Sequence, residues 1–144
     1  MVKFEKELTI DQPLQEVFDY VSDPANDVEW RTDIEVSEWT SEGPPAVGSL
    51  SRSVSKFLGR KMETTAEVTA WDPPNHFAFK SIGGPFPFEF DVSLEGQGNS
   101  TKVVFNGQAD VGGFFKLAEG LVAKQTQKQF NREFDALKVL LESS

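Results

Sequence analysis

The sequence predicts an α+β fold: a curved antiparallel sheet of six to seven strands around a long C-terminal helix, with two short helices after strand 1. Three observations predict it. Apolar residues alternate with period two at the start of the chain and again from Asp33 to Asp110. Short turns separate consecutive strands, which argues for a meander. After Gly112-Gly113 the period becomes 3.6. A sheet with one apolar face must be covered, and the last helix is the element long enough to cover it. A curled sheet and a straight helix do not match perfectly, so a cavity between them is expected. At 144 residues, without internal repeats, the chain reads as one domain, residues 1–144.

Each element has its own signal. Val2 to Ile10 places Val2, Phe4, Leu8 and Ile10 on one strand face, interrupted by Lys6. Asp11 or Gln12 then caps a helix with Pro13 in its first turn and Leu14, Val17, Phe18 and Val21 at helical spacing. Asp23-Pro24 starts a second short helix, with Asp27 near its positive end. In the next strand Ile34, Val36 and Glu38 alternate with Glu35, Ser37 and Trp39. Glu42-Gly43-Pro44-Pro45 forms a loop, Leu50 to Leu58 resumes the alternation, and Gly59-Arg60 suits a hairpin turn. Lys61 to Trp71 carries Met62, Thr64, Ala66, Val68 and Ala70 on one face, and Asp72-Pro73-Pro74-Asn75 ends it. His76 to Ser81 is a short strand closed by Gly83-Gly84-Pro85. Phe86 to Leu94 stacks Phe86, Phe88, Phe90, Val92 and Leu94 on one face; Thr101 to Ala109 follows with Val103 and Phe105 together. The final helix carries a stripe of Phe115, Val122, Thr126, Phe130, Phe134, Leu137 and Leu141.

Composition removes several function classes. There is no cysteine, which excludes disulfides, thiolate metal sites and cysteine nucleophiles, and one histidine, which excludes multi-histidine metal sites. The net charge of −9 disfavours nucleic acid and anionic lipid headgroups as partners. No stretch approaches the ~20 apolar residues of a membrane span, so stable membrane insertion is not expected. The first ten residues lack an apolar signal-peptide core, and a cytoplasmic location is the expectation. Thirteen phenylalanines stand against three tryptophans and one tyrosine. Phenylalanine buries a large area without asking for a hydrogen-bond partner, so it builds either a tight core or an apolar-walled pocket.

Four segments carry a family resemblance: IDQPLQEVFDYVSDPANDVEW from Ile10 to Trp30, VTAWDPPNHFAFKS ending at Ser81, TKVVF from Thr101 to Phe105, and the ending FDALKVLLES. On these the chain resembles the START-related SRPBCC superfamily with its helix-grip fold, and within it the polyketide cyclase/dehydrase-like group, from about residue 4 to residue 142. The resemblance implies an internal cavity for lipids, polyketides or aromatic metabolites. In a minority of such proteins the cavity is also a reaction site. These motifs specify architecture well and chemistry poorly.

Residues that could carry chemistry are few. His76 is the one imidazole, at a strand start near the sheet rim, where a structural role outweighs a catalytic one. Ser49, Ser51, Ser53 and Ser55 share one strand face without a nucleophile elbow, and such a face more often meets water than substrate. Arg52, Val54, Lys56 and Leu58 take the other face. If it is concave, Arg52 meets a ligand carboxylate or enolate, or pairs with Glu38; a slip of one residue turns it to solvent. The other carboxylates read as a wet outer face, and neither glycine pair resembles a phosphate cradle. Phe77, Phe79, Phe86, Phe88, Phe90 and Phe105 gather on the sheet opposite the smaller Thr126 and Ala123 and Phe130 of the helix, an arrangement that suits apolar walls with unfilled volume.

The expected ligand-binding set is therefore Phe77, Phe79, Phe86, Phe88, Phe90, Phe105, Arg52, Val54, Thr126 and Phe130, around a hydrophobic small molecule. Entry is expected between the Gly83-Gly84-Pro85 loop, the Gly43-Pro44-Pro45 loop and Gly112-Gly113. No cofactor or metal is expected and no catalytic residue is assigned. An aromatase/cyclase or dehydrase in the same cavity is the alternative, with Arg52, His76 and Glu38 its nominees. A protein-binding module is a third class without specific support, and the oligomeric state has no sequence signal.

Overall fold

The computed structural model describes residues 2–57, 59–110 and 119–143. Its elements run β1 (Val2–Ile10), α1 (Leu14–Val21), a single 3-10 turn (Pro24–Asn26), α2 (Asp27–Trp30), β2 (Ile34–Trp39), β3 (Leu50–Phe57), β4 (Arg60–Asp72), β5 (His76–Gly83), β6 (Phe88–Gln97), β7 (Ser100–Ala109) and α3 (Glu119–Glu142). The strands form one sheet in the order β1-β7-β6-β5-β4-β3-β2, every pairing antiparallel. From β2 to β7 the sheet is the expected meander, and β1 joins it beside β7. Leu58, Gly112-Gly113 and Phe115 lie outside the described residues.

Two local features near α1 follow from sequence chemistry. Pro13 precedes α1 in extended conformation and no side chain caps the helix, so the expected Asp11 or Gln12 cap is not made. Asp23 does cap: its carboxylate accepts the amide of Ala25 at 3.0 Å, with Pro24 at the first helical position.

α3 lies along β1 and runs parallel to it. Gln127 exchanges hydrogen bonds with the backbone of Glu5, Lys138 donates to the carbonyl of Thr9, and the amide of Asp11 donates to Glu142 at 2.7 Å. Phe134, Leu137 and Leu141 of the helix enter a core with Ile10, Val17, Phe18, Val68, Val92 and Val103. Burial of such side chains, at about 1.5–3 kcal/mol each, holds the helix to the sheet.

Among the described residues, two of the three register shifts in the sheet bear on which residues face inward. On β2 the register shifts between Ile34 and Val36, so Glu35 is the extra residue. Ser37 and Trp39 therefore turn inward opposite Ser53 and Ser51, and Glu38 turns outward opposite Arg52. This corrects the simple alternation, in which Glu38 shares a face with Ile34. On β4 a second shift falls between Val68 and Ala70, which sends Ala70 outward and Trp71 in against Phe18 and Phe77.

Candidate functional site

The inner face of the sheet divides into two halves of different chemistry. On β5 to β7 it carries aromatic rings. Phe79, Phe90 and Phe105 form a stacked run, with centroids 5.3 Å and 5.4 Å apart, and Phe88 continues it at 6.4 Å from Phe90. Phe4 of β1 stacks on Phe130 of α3 at 4.6 Å, its ring lying across Gly107 of β7, where a Cβ would come within 2.0 Å of it.

On β2 to β4 the same face carries hydroxyl groups. Ser37, Ser53 and Thr64 lie side by side across three strands, flanked by Ser55 opposite Ile34 and Met62 and by Ser51 opposite Trp39 and Ala66. These short side chains leave space that the helix does not fill. A cavity of about 200 Å³ results, bounded by both halves of the sheet, by α3 and by the α1–α2 segment.

Phe77, Phe79, Phe86, Phe88, Phe90, Phe105, Thr126 and Phe130 all border this cavity. Arg52 and Val54 do not, which corrects their expected placement. Because Ser51, Ser53 and Ser55 face inward, the pleat turns Arg52 and Val54 to the opposite face, where Arg52 bridges Glu38 at 3.4 Å and Glu63 at 3.3 Å. The serine face, expected to meet bulk water, is the one that borders the cavity. His76 sits outside the lining and faces Asp91 at 2.6 Å and Asp72 at 3.7 Å. Arg52, His76 and Glu38, the nominees for catalysis, are thus all outside it.

The structure instead places a charged cluster at one end of the cavity, which the sequence reading misses. Asp27, Trp30, Arg31 and Asp33 border the cavity, and Glu133 of α3 stands behind them, 1% exposed. Glu133 accepts the amide of Thr32 at 2.7 Å and its hydroxyl at 3.0 Å. The guanidinium of Arg31 lies 3.4 Å from Asp33, 3.6 Å from Glu133 and 5.3 Å from the centre of the Phe130 ring. Four polar atoms in this cluster have no hydrogen-bond partner among the described residues: Trp30 Nε1, Arg31 Nε, Asp33 Oδ1 and Glu133 Oε1.

Burial pushes the Asp27 carboxyl up to about 7; Arg31 opposes that, and Asp23, Asp33 and Glu133 add to it. Burial likewise raises Glu133, against the pull of Arg31. Burial alone would lower the pKa of Arg31, but Asp33, Glu133 and Asp27 outweigh it and hold the guanidinium charged. One cation among three carboxyls gives this end a negative bias. Among the described residues no group of histidine or carboxylate side chains has the arrangement of a metal site.

Comparison with known proteins agrees with this architecture. Residues 1–142 match the family described as polyketide cyclase / dehydrase and lipid transport. The chain belongs to that family. Among solved structures it is similar to TTHA0849 from Thermus thermophilus, at 24% identity and TM-score 0.79, covering 99% of each chain. It is also similar to a START superfamily protein from Mycobacterium smegmatis, at 15% identity and TM-score 0.78, covering 98% of this chain and 97% of that one. A third likeness is to the di-domain ARO/CYC BexL from the BE-7585A biosynthetic pathway, at 17% identity and TM-score 0.73, covering 96% of this chain and 45% of that one. At these identities the likenesses show the helix-grip fold. No curated protein matches the chain.

Proposed function

We propose that the protein binds a hydrophobic small molecule, a compact aromatic or polyketide-like metabolite rather than an extended lipid, in the cavity between the sheet and α3. The observation that carries this reading is the cavity itself: about 200 Å³ with a phenylalanine wall, a hydroxyl wall and one charged end. Size narrows the ligand. An engineered cavity of about 150 Å³ holds a single benzene ring, so the space here suits one or two rings.

The energetics require both the phenylalanine wall and the charged end. Burying about 200 Å² of ring surface at about 25 cal/mol per Å² gives roughly 5 kcal/mol before ordering costs. That corresponds to an affinity short of micromolar. Hydrogen bonds to charged groups, about 1.5–3 kcal/mol each, supply the remainder. Calorimetric titration with one- and two-ring phenols tests the reading; saturable one-to-one binding is expected, and its absence across the set overturns it.

A second reading, aromatase/cyclase or dehydrase chemistry in the same cavity, has one specific observation in its favour. Asp27 borders the cavity with a pKa of about 7, which suits a group that both takes and returns a proton at neutral pH. Loss of turnover in Asp27→Asn with ligand binding retained is the outcome that separates enzyme from carrier.

A further inference from the structure

The charged end of the cavity also bears on which ligands it refuses. Among the described residues bordering the cavity, Arg31 is the one cation, while Asp27, Asp33 and Glu89 are carboxylates. Arg31 is already engaged, facing Asp33 and Glu133 and lying over Phe130. A ligand carboxylate arriving here would have to displace one of those partners and would stand among like charges as it lost its water.

The unmet hydrogen-bonding needs point the other way. Arg31 Nε and Glu133 Oε1 stand 3.6 Å apart and answer each other's charge; of the other two atoms, Asp33 Oδ1 wants a donor. Trp30 Nε1 wants an acceptor, on a residue 7% exposed that borders the cavity. A hydroxyl group is at once a donor and an acceptor. The row of Ser37, Ser53 and Thr64 extends the same chemistry along the opposite wall, with each hydroxyl able to turn as donor or acceptor.

We infer that the cavity selects an uncharged, hydroxyl-bearing ring compound and that Asp27 and Asp33 reject the corresponding carboxylate. This rests on the ligand-binding function proposed above. It narrows that function by excluding fatty acids and aromatic acids from the ligand class. The raised pKa values of Asp27 and Glu133 accord with it: burial is the main cause in both, Arg31 opposes it, and neighbouring carboxyls add to it.

The test is calorimetric titration of the full chain at pH 8 with 2-naphthol and 2-naphthoate, which share a ring system and differ in charge. We expect saturable binding of the naphthol and at least tenfold weaker binding of the naphthoate. Asp27→Asn and Asp33→Asn should each narrow that gap at least threefold. Asp33→Asn also touches the Arg31 pair, whereas Asp27 accepts no side-chain hydrogen bond among the described residues. Asp27→Asn is therefore the cleaner variant, with a thermal melt to show that it folds. Naphthoate binding as tight as naphthol overturns the selectivity and leaves the proposed function standing. A gap unchanged in both variants overturns the assignment to these two residues. Binding of neither probe overturns both readings.

Discussion

Asp27 ties the chemistry of the cavity to the stability of the chain. Its carboxyl titrates near 7 in the folded protein and near 3.8 when free of its surroundings. Between those values the folded state holds a proton that the unfolded state has released. The stability this group contributes is therefore complete below about pH 4, declines as pH rises, and is gone above about pH 7. Asp27→Asn removes the dependence. Urea denaturation at pH 5 and pH 8 should show the variant gaining on the parent protein by roughly 1–3 kcal/mol as pH rises. An unchanged difference would contradict the burial of this group. Gly107 poses a different problem, one of space. The Phe4 ring occupies the place of its missing side chain, so Gly107→Ala must push the ring out of its stack with Phe130. Overpacking of this kind costs about 1–3 kcal/mol, and a lower thermal midpoint should report it. Neither role is legible in the sequence. The phenylalanines announce themselves through alternation, but Asp27, Arg31 and Asp33 sit in a short helix and loop without periodicity. Glu133 looks like any polar residue of an amphipathic helix until the partner loop at Thr32 is seen beside it.

At the scale of elements, the order of strands and helices and the extent of the meander follow directly from hydrophobic period. What alternation misses is the bulge. Glu35 on β2 shifts every later residue of that strand to the other face, and nothing in the segment IEVSEW distinguishes a bulged from a regular strand. The same blindness applies to β3, where period two separates the serines from Arg52 and Val54 but does not say which set is inside. Only the neighbouring strands decide that: Ser53 pairs with Thr64, whose own face is fixed inward by Met62, Ala66 and Val68. The tie between α3 and the segment after α2 is equally non-local. Glu133→Ala would leave the Thr32 donors unanswered and Arg31 with Asp33 as its remaining ion-pair partner. A loss of about 1–3 kcal/mol is expected. Glu133→Gln keeps an acceptor for Thr32 and should lose distinctly less. Equal losses in the two variants would mean that charge, not hydrogen bonding, holds α3 to that segment.

For the molecule as a whole, the decisive quantity is the unfilled volume. Filling it from inside should abolish binding without unfolding the protein. Ser53→Leu projects three carbons in place of one oxygen from the middle of the hydroxyl row into the cavity. Calorimetry should show at least a tenfold loss of phenol affinity, with the thermal midpoint unchanged or raised. A midpoint lowered by many degrees would mean that the cavity walls have no slack. Net charge of −9 surrounds this interior, and no helix among the described residues is long and apolar enough to cross a membrane.

The attachment of α3 has a mechanical consequence. Its hydrogen bonds run down β1, and its one buried charged tie among the described residues reaches the Thr32 segment, on which β2 leans, so β2 to β4 are held to the helix at second hand. A guest lodged between those strands and the helix acts as a brace. Amide hydrogen exchange should accordingly slow most on β2 to β4 when the cavity is occupied, and least on β1 and β7, which are already clamped.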